Sequence, residues 1–510
     1  MKRGIAIFLF CLTLPMVIMA RPAVADQSVG FDSTVAASVW SAALAYIEPR
    51  ALNPVTIPQM TLWGLNSLAG LDPNLNTVLQ NGQIRLFGPN RLIIAIPAPP
   101  VMDAKAWGLA AARVAAAAYA VSQPLQRAGT QGIISNFFDE LFDHFDPYSR
   151  YEGPLRAAQD QLMIVGLAGT GLKLETKSGR VVIATVAADS PATNAGLQPG
   201  MVIISVNGRR AYPGMVTALN NEMEGLPDSR LSLTFIDPQS TISAPQSAVL
   251  HRDFIPPQTV YVEQPLAPGM AVIKISGFNK GTGDQFAQAL ESVMSQSPAP
   301  SALLLDLRGN RGGVLRQAVL VADSLLNAGT ILTTRGRDPD ADQNFMAEGA
   351  DLTHGAKIVV LVDGQTASAA EILSASLADN GRAVVIGSET LGKGVVQTIT
   401  SLPDGGELFV TWSRVLAPGG WPLQGLGLMP QICTSNGQYS LSQQLAALQQ
   451  GHNLMAPVLA KARAMRPPVS IDKILALRAA CPADIGGELD ERAALAVFGS
   501  QEIYRAALLH

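Results

Sequence analysis

Lys357-Ile-Val-Val-Leu-Val-Asp363 is an apolar run that leads directly into the small-residue loop Gly364-Gln-Thr-Ala-Ser368-Ala-Ala-Glu371. Its β-branched residues predict a buried strand, and the S-x-x-E pattern that starts at Ser368 is typical of a helix capping box. A strand, a tight turn and a helix in this order are the repeating unit of an α/β core. At such a turn Ser368 either caps the helix or presents its hydroxyl as a nucleophile.

A second apolar strand runs into a glycine loop that carries Lys393, 25 positions after Ser368. This lysine is either a solvated loop residue or, if burial lowers its pKa, a general base for the serine. Gln397 follows four residues later, where its side chain can hold the amine by a hydrogen bond. A phosphate loop is excluded because Gly394 occupies the position that needs Ser or Thr. The Ser–Lys pair predicts a serine protease that works without histidine.

Two more glycine-rich stretches are candidates for binding through backbone N–H groups. Gly309-Asn-Arg-Gly-Gly313 follows a predicted strand and is either an ordinary tight turn or a surface for a substrate oxygen. The N–H of Ala369, at the start of a helix, is a candidate oxyanion donor. Gly169-Thr170-Gly171-Leu172 enters another strand and is either a turn or a site for a peptide carboxylate.

Composition and the N-terminus limit the classes of function. The 510 residues are 48% hydrophobic and 15% charged with a net charge of -4, which excludes global disorder. No basic run points to nucleic acid, and we predict no metal and no cofactor. Lys2 and Arg3 precede an apolar segment and Ala23-Val-Ala25, which predicts a signal peptide over residues 1–25; an uncleaved anchor is the alternative. We therefore expect a periplasmic or extracellular protein without a stable membrane span.

The cysteines agree with that compartment. Cys11 lies within the predicted signal peptide, which leaves Cys433 and Cys481. In an oxidising compartment two cysteines are expected to form a disulfide, and two separate buried thiols are the alternative.

The chain divides into regions of different pattern, with a multidomain α+β organisation overall. We predict a mainly helical region with one hairpin at 83–96, then short strands, then alternating strands and helices, then a helical tail. The boundaries of these four regions are 26–159, 160–252, 253–438 and 439–510.

Taken together, these segments resemble the C-terminal processing peptidases, also called tail-specific proteases. The resemblance is carried by Gly196-Leu-Gln-Pro-Gly200, Val206-Asn-Gly208, Leu305-Asp-Leu-Arg-Gly-Asn-Arg-Gly-Gly313, Ala367-Ser-Ala-Ala-Glu371 and the Gly387 to Gln397 loop, with His144 to Tyr151 and Arg414 to Pro430 also similar.

The resemblance implies a PDZ domain at 160–252 and a crotonase-like α/β protease core at 253–438. It implies that Ser368 is the nucleophile, Lys393 the general base and Gln397 the residue that orients the base. The backbone of Gly312 with that of Ala369 would form the oxyanion hole. Gly169 to Leu172 would take the C-terminal carboxylate of a substrate.

Three positions depart from the family pattern, although none removes a catalytic side chain. Arg311 stands where proline is usual, Gln431 where aspartate is common, and Met201 where PDZ domains often have aspartate. We expect an exported serine endopeptidase that acts on protein or peptide substrates with accessible C-termini, with an adaptor or self-association as further partners. The alternatives are a catalytically silent PDZ scaffold on the same fold and a Ser–His hydrolase using one of the five histidines, of which His354 is the nearest in sequence.

Overall fold

The computed structural model describes residues 30–187, 190–240 and 244–509, without the side chains of residues 163–165. The predicted signal peptide lies outside these residues. Within them, no helix combines the length and the apolar character needed to span a bilayer.

The N-terminal region packs four helices around a small antiparallel sheet. The helices are α1 (Ser33–Arg50), α2 (Ile57–Leu71), α3 (Ala104–Tyr119) and α4 (Gln123–Phe142), and the sheet is β1 (Asn76–Gln80), β2 (Gln83–Phe87) and β3 (Leu92–Pro97). The predicted hairpin is confirmed as β2 and β3, in which Gln83 pairs with Pro97. β1 is an additional strand that the sequence did not reveal. Trp40 stacks on Phe137 in this core, with ring centroids 4.5 Å apart.

The region that follows is a compact antiparallel domain. Its elements after β4 (Arg150–Glu152) and α5 (Pro154–Val165) are β5 (Leu167–Gly169), β6 (Leu172–Lys177), β7 (Arg180–Val186), α6 (Pro191–Asn194), β8 (Val202–Val206), β9 (Arg209–Arg210), α7 (Val216–Met223), β10 (Arg230–Ile236), β11 (Gln246–His251) and β12 (Asp253–Ile255). The main sheet has the order β11-β10-β8-β7-β6, so β6 is an edge strand, and β12 pairs with β5. Leucines and isoleucines of β6, β7 and β10 fill the core beneath α7.

The α/β core contains two sheets. Its elements are β13 (Val260–Glu263), β14 (Met270–Ile275), α8 (Thr282–Met294), β15 (Ala302–Asp306), α9 (Leu315–Asp323), β16 (Thr330–Gly336), β17 (Gln343–Met346), β18 (Lys357–Val362), α10 (Ala369–Asp379), β19 (Ala383–Gly387), β20 (Val395–Ser401), β21 (Glu407–Leu416) and β22 (Ile432–Cys433). The first sheet has the order β13-β14-β15-β18-β19-β22 and the second the order β17-β16-β21-β20, with β4 also paired to β21.

The parallel register of the first sheet brings the candidate loops together. β15 pairs with β18, and β18 pairs with β19, all in parallel. In such a sheet the loops that follow the carboxyl ends of adjacent strands lie along one edge. The turns that carry Gly312, Ser368 and Lys393 follow these three strands and therefore meet there.

The C-terminal tail is helical and covers one face of that sheet. Its helices are α11 (Gly437–Gln449), α12 (Ala456–Arg463), α13 (Ile471–Arg478), α14 (Glu488–Gly499) and α15 (Gln501–Ala507). A disulfide joins Cys433 of β22 to Cys481, with an S–S distance of 2.03 Å. The tail is thereby attached beside the loop that carries Lys393.

Candidate active site

Ser368 occupies a strained position between β18 and α10. Its backbone angles are φ 55° and ψ -117°, whereas a residue that simply caps a helix usually adopts an extended conformation. A non-glycine residue in such a region costs about 1–3 kcal/mol and persists where the surrounding structure enforces it. This strain disfavours a purely structural cap and agrees with a nucleophile held at a sharp turn between strand and helix.

A buried carboxylate, that of Glu371, joins the serine turn to the lysine loop. Glu371 is fully buried, and its Oε2 accepts hydrogen bonds from the N–H of Ser368 at 2.7 Å and of Lys393 at 2.9 Å. Its Oε1 accepts from the N–H of Gly392 at 2.8 Å and from the hydroxyl of Thr390. Burial raises the pKa of Glu371, and these four donors oppose that rise. The sequence showed this residue only as part of a capping box.

Lys393 is half-buried, and its amine lies over an aromatic ring. Its Nζ is 5.2 Å from the centroid of Tyr148. Burial lowers the pKa of Lys393, and the nearby Arg150 lowers it further, while Asp146 opposes the shift. A lowered pKa increases the neutral fraction of the amine, which is the form that accepts a proton.

Gln397 contacts the same segment from β20. Its Nε2 donates to the carbonyl of Tyr148, and among the described residues no hydrogen bond joins Gln397 to Lys393. Asp146 attaches this segment to β21 because it accepts from the hydroxyl of Thr411 at 2.8 Å. The position of Tyr148 was not anticipated, although the signal that could have revealed it was the family-like stretch from His144 to Tyr151.

The turn after β15 lies directly against the serine. A Cβ added to Gly312, whose φ is +89°, would be 2.8 Å from the Cβ of Ser368 and 2.9 Å from the nitrogen of Ala369. The N–H of Gly312 donates to Oδ1 of Asn310 at 2.8 Å. The backbone of Gly312 and that of Ala369, which we expected to form an oxyanion hole, are thus adjacent. The N–H of Gly312 is, however, bound to the side chain of Asn310, a contact that the sequence did not predict.

The expected carboxylate-binding loop is also engaged within the chain. The N–H of Thr170 donates to the carbonyl of Met223 at 2.9 Å, and that of Leu172 to the hydroxyl of Thr170 at 3.4 Å. Gly171 has a φ of +82° and lies against Ser190, so a side chain at this position has no room.

A second buried acidic residue, Glu389, belongs to the same loop as Lys393. Burial raises the pKa of Glu389 to about 8, against the attraction of Arg478. Nε of Arg478 is 3.2 Å from its Oε2, although in the described part of the chain neither carboxylate oxygen receives a hydrogen bond of good geometry. Arg478 also donates to the carbonyl of Thr390 at 3.0 Å, which links the C-terminal tail to the loop of Lys393.

His354 is not supported as a base for Ser368 by the layout of the sheet. His354 is exposed and precedes the amino end of β18, whereas Ser368 follows its carboxyl end. The six residues of this strand span about 20 Å. Within the described residues, no group of three or more His, Cys, Asp or Glu side chains is placed to hold a metal ion.

Comparison with known proteins identifies the family. Residues 269–434 match Peptidase family S41, and residues 182–236 match a PDZ domain. The "Carboxy-terminal-processing protease" of Bartonella bacilliformis is 30% identical over 305 residues, which cover 59% of this chain and 69% of the relative. The "Carboxyl-terminal-processing protease" of a Synechocystis species is 31% identical over 291 residues, which cover 56% and 67%.

Among solved structures, a "photosystem II D1 C-terminal processing protease" is 27% identical, with a TM-score of 0.35 and coverage of 60% of this chain and 81% of that one. From the family match and the bacterial relatives, the chain belongs to the C-terminal processing peptidases and is a serine-type peptidase with a PDZ domain.

Proposed function

We propose that the chain is an exported endopeptidase that uses a Ser368–Lys393 dyad on proteins recognised near their C-terminus. The observation that carries this proposal is the shared carboxylate of Glu371, whose Oε2 binds the backbone N–H groups of both residues. A buried anchor of this kind fixes the relative position of two loops that are 25 residues apart in sequence. A serine used only as a helix cap has no need of such a connection.

In the proposed reaction, neutral Lys393 takes the proton of the Ser368 hydroxyl while Oγ attacks the scissile carbonyl. The oxygen of the tetrahedral intermediate is stabilised by the N–H groups of Ala369 and Gly312, the latter after it leaves Asn310. Protonated Lys393 then gives its proton to the leaving amine. Water, activated by the same amine, hydrolyses the acyl-enzyme and restores the serine.

Gln397 acts in this proposal through the segment that it binds. By donating to the carbonyl of Tyr148, it supports the aromatic ring beneath the amine of Lys393. It is therefore a positioning residue, in place of the direct partner of the amine that we expected.

We also propose export after removal of residues 1–25, with region boundaries at 160, 253 and 439. The chloroplast location in the name of one relative supports a role outside the cytoplasm. The disulfide between Cys433 and Cys481 supports an oxidising compartment. Fractionation of expressing cells with N-terminal sequencing tests this part: intact protein that begins at Met1 in the cytoplasmic fraction would contradict it.

The dyad is tested with purified Ser368→Ala and Lys393→Ala chains, with the exposed Lys461→Ala as a matched control. We expect both active-site variants to lose peptide cleavage while retaining the wild-type melting temperature, and the control to remain active. A fluorophosphonate probe should label Ser368 in the wild type and nothing in Ser368→Ala. Cleavage retained by either variant refutes the dyad, and failure of the wild type to be labelled and to cleave supports a silent scaffold.

A further inference from the structure

The edge strand β6 presents backbone groups toward α7. The carbonyl of Gly171 accepts from the N–H of Ala187 at 2.8 Å, on the side of β7. Because backbone groups alternate along a strand, those of Leu172 and Leu174 point the other way. In the described part of the chain no strand pairs with this outer side of β6. Free edges of this kind can bind an extended peptide as an added strand.

One side chain of α7 occupies the position that such a peptide would take. The N–H of Leu174 donates to Oδ1 of Asn220 at 2.8 Å, and Nδ2 of Asn220 donates to the carbonyl of Leu174 at 2.9 Å. A residue of an antiparallel strand directly opposite Leu174 would make the same two hydrogen bonds. The amide of Asn220 thus imitates one peptide unit of an incoming strand.

Space for a peptide lies next to this contact. A groove of about 1180 Å³ lies between the start of β6 and the C-terminal half of α7 and continues along α8 in the protease core. Leu172, Asn220 and Met223 line it on the side of the PDZ domain, and Gln285 on the side of the core. The groove is therefore formed before a ligand arrives, while the backbone groups of Leu174 are already engaged.

We propose that Asn220 is an internal competitor that a peptide must displace from Leu174 in order to dock on β6. This inference rests on the proposed recognition of C-termini by the PDZ domain. Asn220 excludes segments that do not replace both of its hydrogen bonds, because displacement would then leave a backbone group of Leu174 without a partner. It sets a threshold for docking and selects extended segments with a free N–H at one position.

The register identifies that position. If the terminal carboxylate lies at the loop from Gly169 to Leu172, the last residue of the peptide is opposite Leu172. In antiparallel pairing the residue opposite Leu174 is then the third from the C-terminus. Its N–H must replace Nδ2 of Asn220, whereas the N–H of the penultimate residue points away from β6.

The test uses the full mature chain with Ser368→Ala, so that peptides bind without being cleaved. Fluorescence polarisation measures the affinity for a fluorescein-labelled ten-residue peptide that ends in three valines with a free carboxylate. In this background Asn220→Ala should bind about ten-fold more tightly, which is about 1.4 kcal/mol. The neighbouring exposed Asn221→Ala is the matched control and should leave the affinity unchanged. Hydrogen exchange should also show faster exchange of the Leu174 N–H in Asn220→Ala.

A second arm needs no change in the PDZ domain. N-methylation of the third residue from the C-terminus should abolish binding, whereas N-methylation of the penultimate residue should not. Equal affinity of Asn220→Ala and its parent, or equal binding of the two methylated peptides, overturns the inference and leaves PDZ recognition intact. If the free-acid peptide binds none of the chains, the proposed docking on β6 fails, and the inference fails with it.

Discussion

Replacement of Glu371 by glutamine should disconnect the serine turn from the lysine loop without changing the size of the side chain. The carboxylate accepts four hydrogen bonds, two on each oxygen, and donates none. An amide has one oxygen and one donating nitrogen. If the amide oxygen keeps the hydrogen bonds from Gly392 and Thr390, the amide nitrogen faces the N–H groups of Ser368 and Lys393. All three groups are donors, so no hydrogen bond forms between them.

The cost follows from the burial of this group. Glu371 has no exposed surface, so water cannot satisfy the two N–H groups that lose their acceptor. Each unsatisfied buried donor costs about 1–3 kcal/mol, so the free energy of unfolding should fall by about 2–6 kcal/mol. The loops are also free to separate, and a displacement of about 1 Å at a catalytic group can cost on the order of 100-fold in rate.

The assay separates these two effects by a control of similar stability. Leu441 is buried in α11 on the other face of the sheet, and its replacement by alanine should cost about 2–5 kcal/mol. Peptide cleavage is measured well below both melting temperatures. We expect kcat/KM of Glu371→Gln to fall about 100-fold while that of Leu441→Ala remains near the wild type. A Glu371→Gln enzyme that is destabilised but as active as Leu441→Ala would refute the tethering role.

Three further predictions concern titration and covalent cross-linking. Because Lys393 must be neutral to act as the proposed base, kcat/KM should rise with pH through an apparent pKa below 10.5. Arg150→Gln removes a charge that lowers the pKa of Lys393, so it should move this rise in kcat/KM to higher pH. The pKa of Glu389 is raised from 4.5 to about 8 in the folded chain, so its contribution to stability is complete below pH 4.5 and is lost as pH rises to about 8. Thermal unfolding across this pH range should show that the free energy of unfolding falls by up to about 1.4 kcal/mol per pH unit. This fall should be absent in Glu389→Gln. The double variant Cys433→Ala and Cys481→Ala removes a disulfide between residues 48 positions apart. This loss should lower the free energy of unfolding by about 4 kcal/mol in denaturant titrations.

The sequence predicted the elements that carry the proposed Ser–Lys dyad because their local patterns are strong. Apolar strands followed by glycine or small-residue turns identified the loops of Ser368 and Lys393. The parallel register of β15, β18 and β19 then explains why loops far apart in sequence lie at one edge. The hairpin at β2 and β3 was found for the same reason, since turn residues separate two apolar runs.

The tertiary contacts around the proposed site and the PDZ groove could not be predicted from local sequence patterns. Asn220, Asn310 and Tyr148 belong to no periodic pattern, and asparagine is common in turns and on helix surfaces. Each acts through a contact that depends on the packing of separate segments. Even Glu371, which the sequence placed in a capping box, accepts three of its four hydrogen bonds from a loop about 20 residues away.

Two of these contacts share one property, which is that an internal group engages a backbone group that the proposed binding of a substrate would need. Asn220 binds the backbone of Leu174 at the edge of β6, and Asn310 holds the N–H of Gly312. The two contacts are linked by a short path, because Phe278 donates to the carbonyl of Gly312 at 3.0 Å and α8 begins only four residues later. The start of α8 lines the groove beside β6. A peptide in this groove would contact the same segment whose other end holds the turn of Gly312, so the proposed docking and the proposed oxyanion hole depend on one piece of backbone.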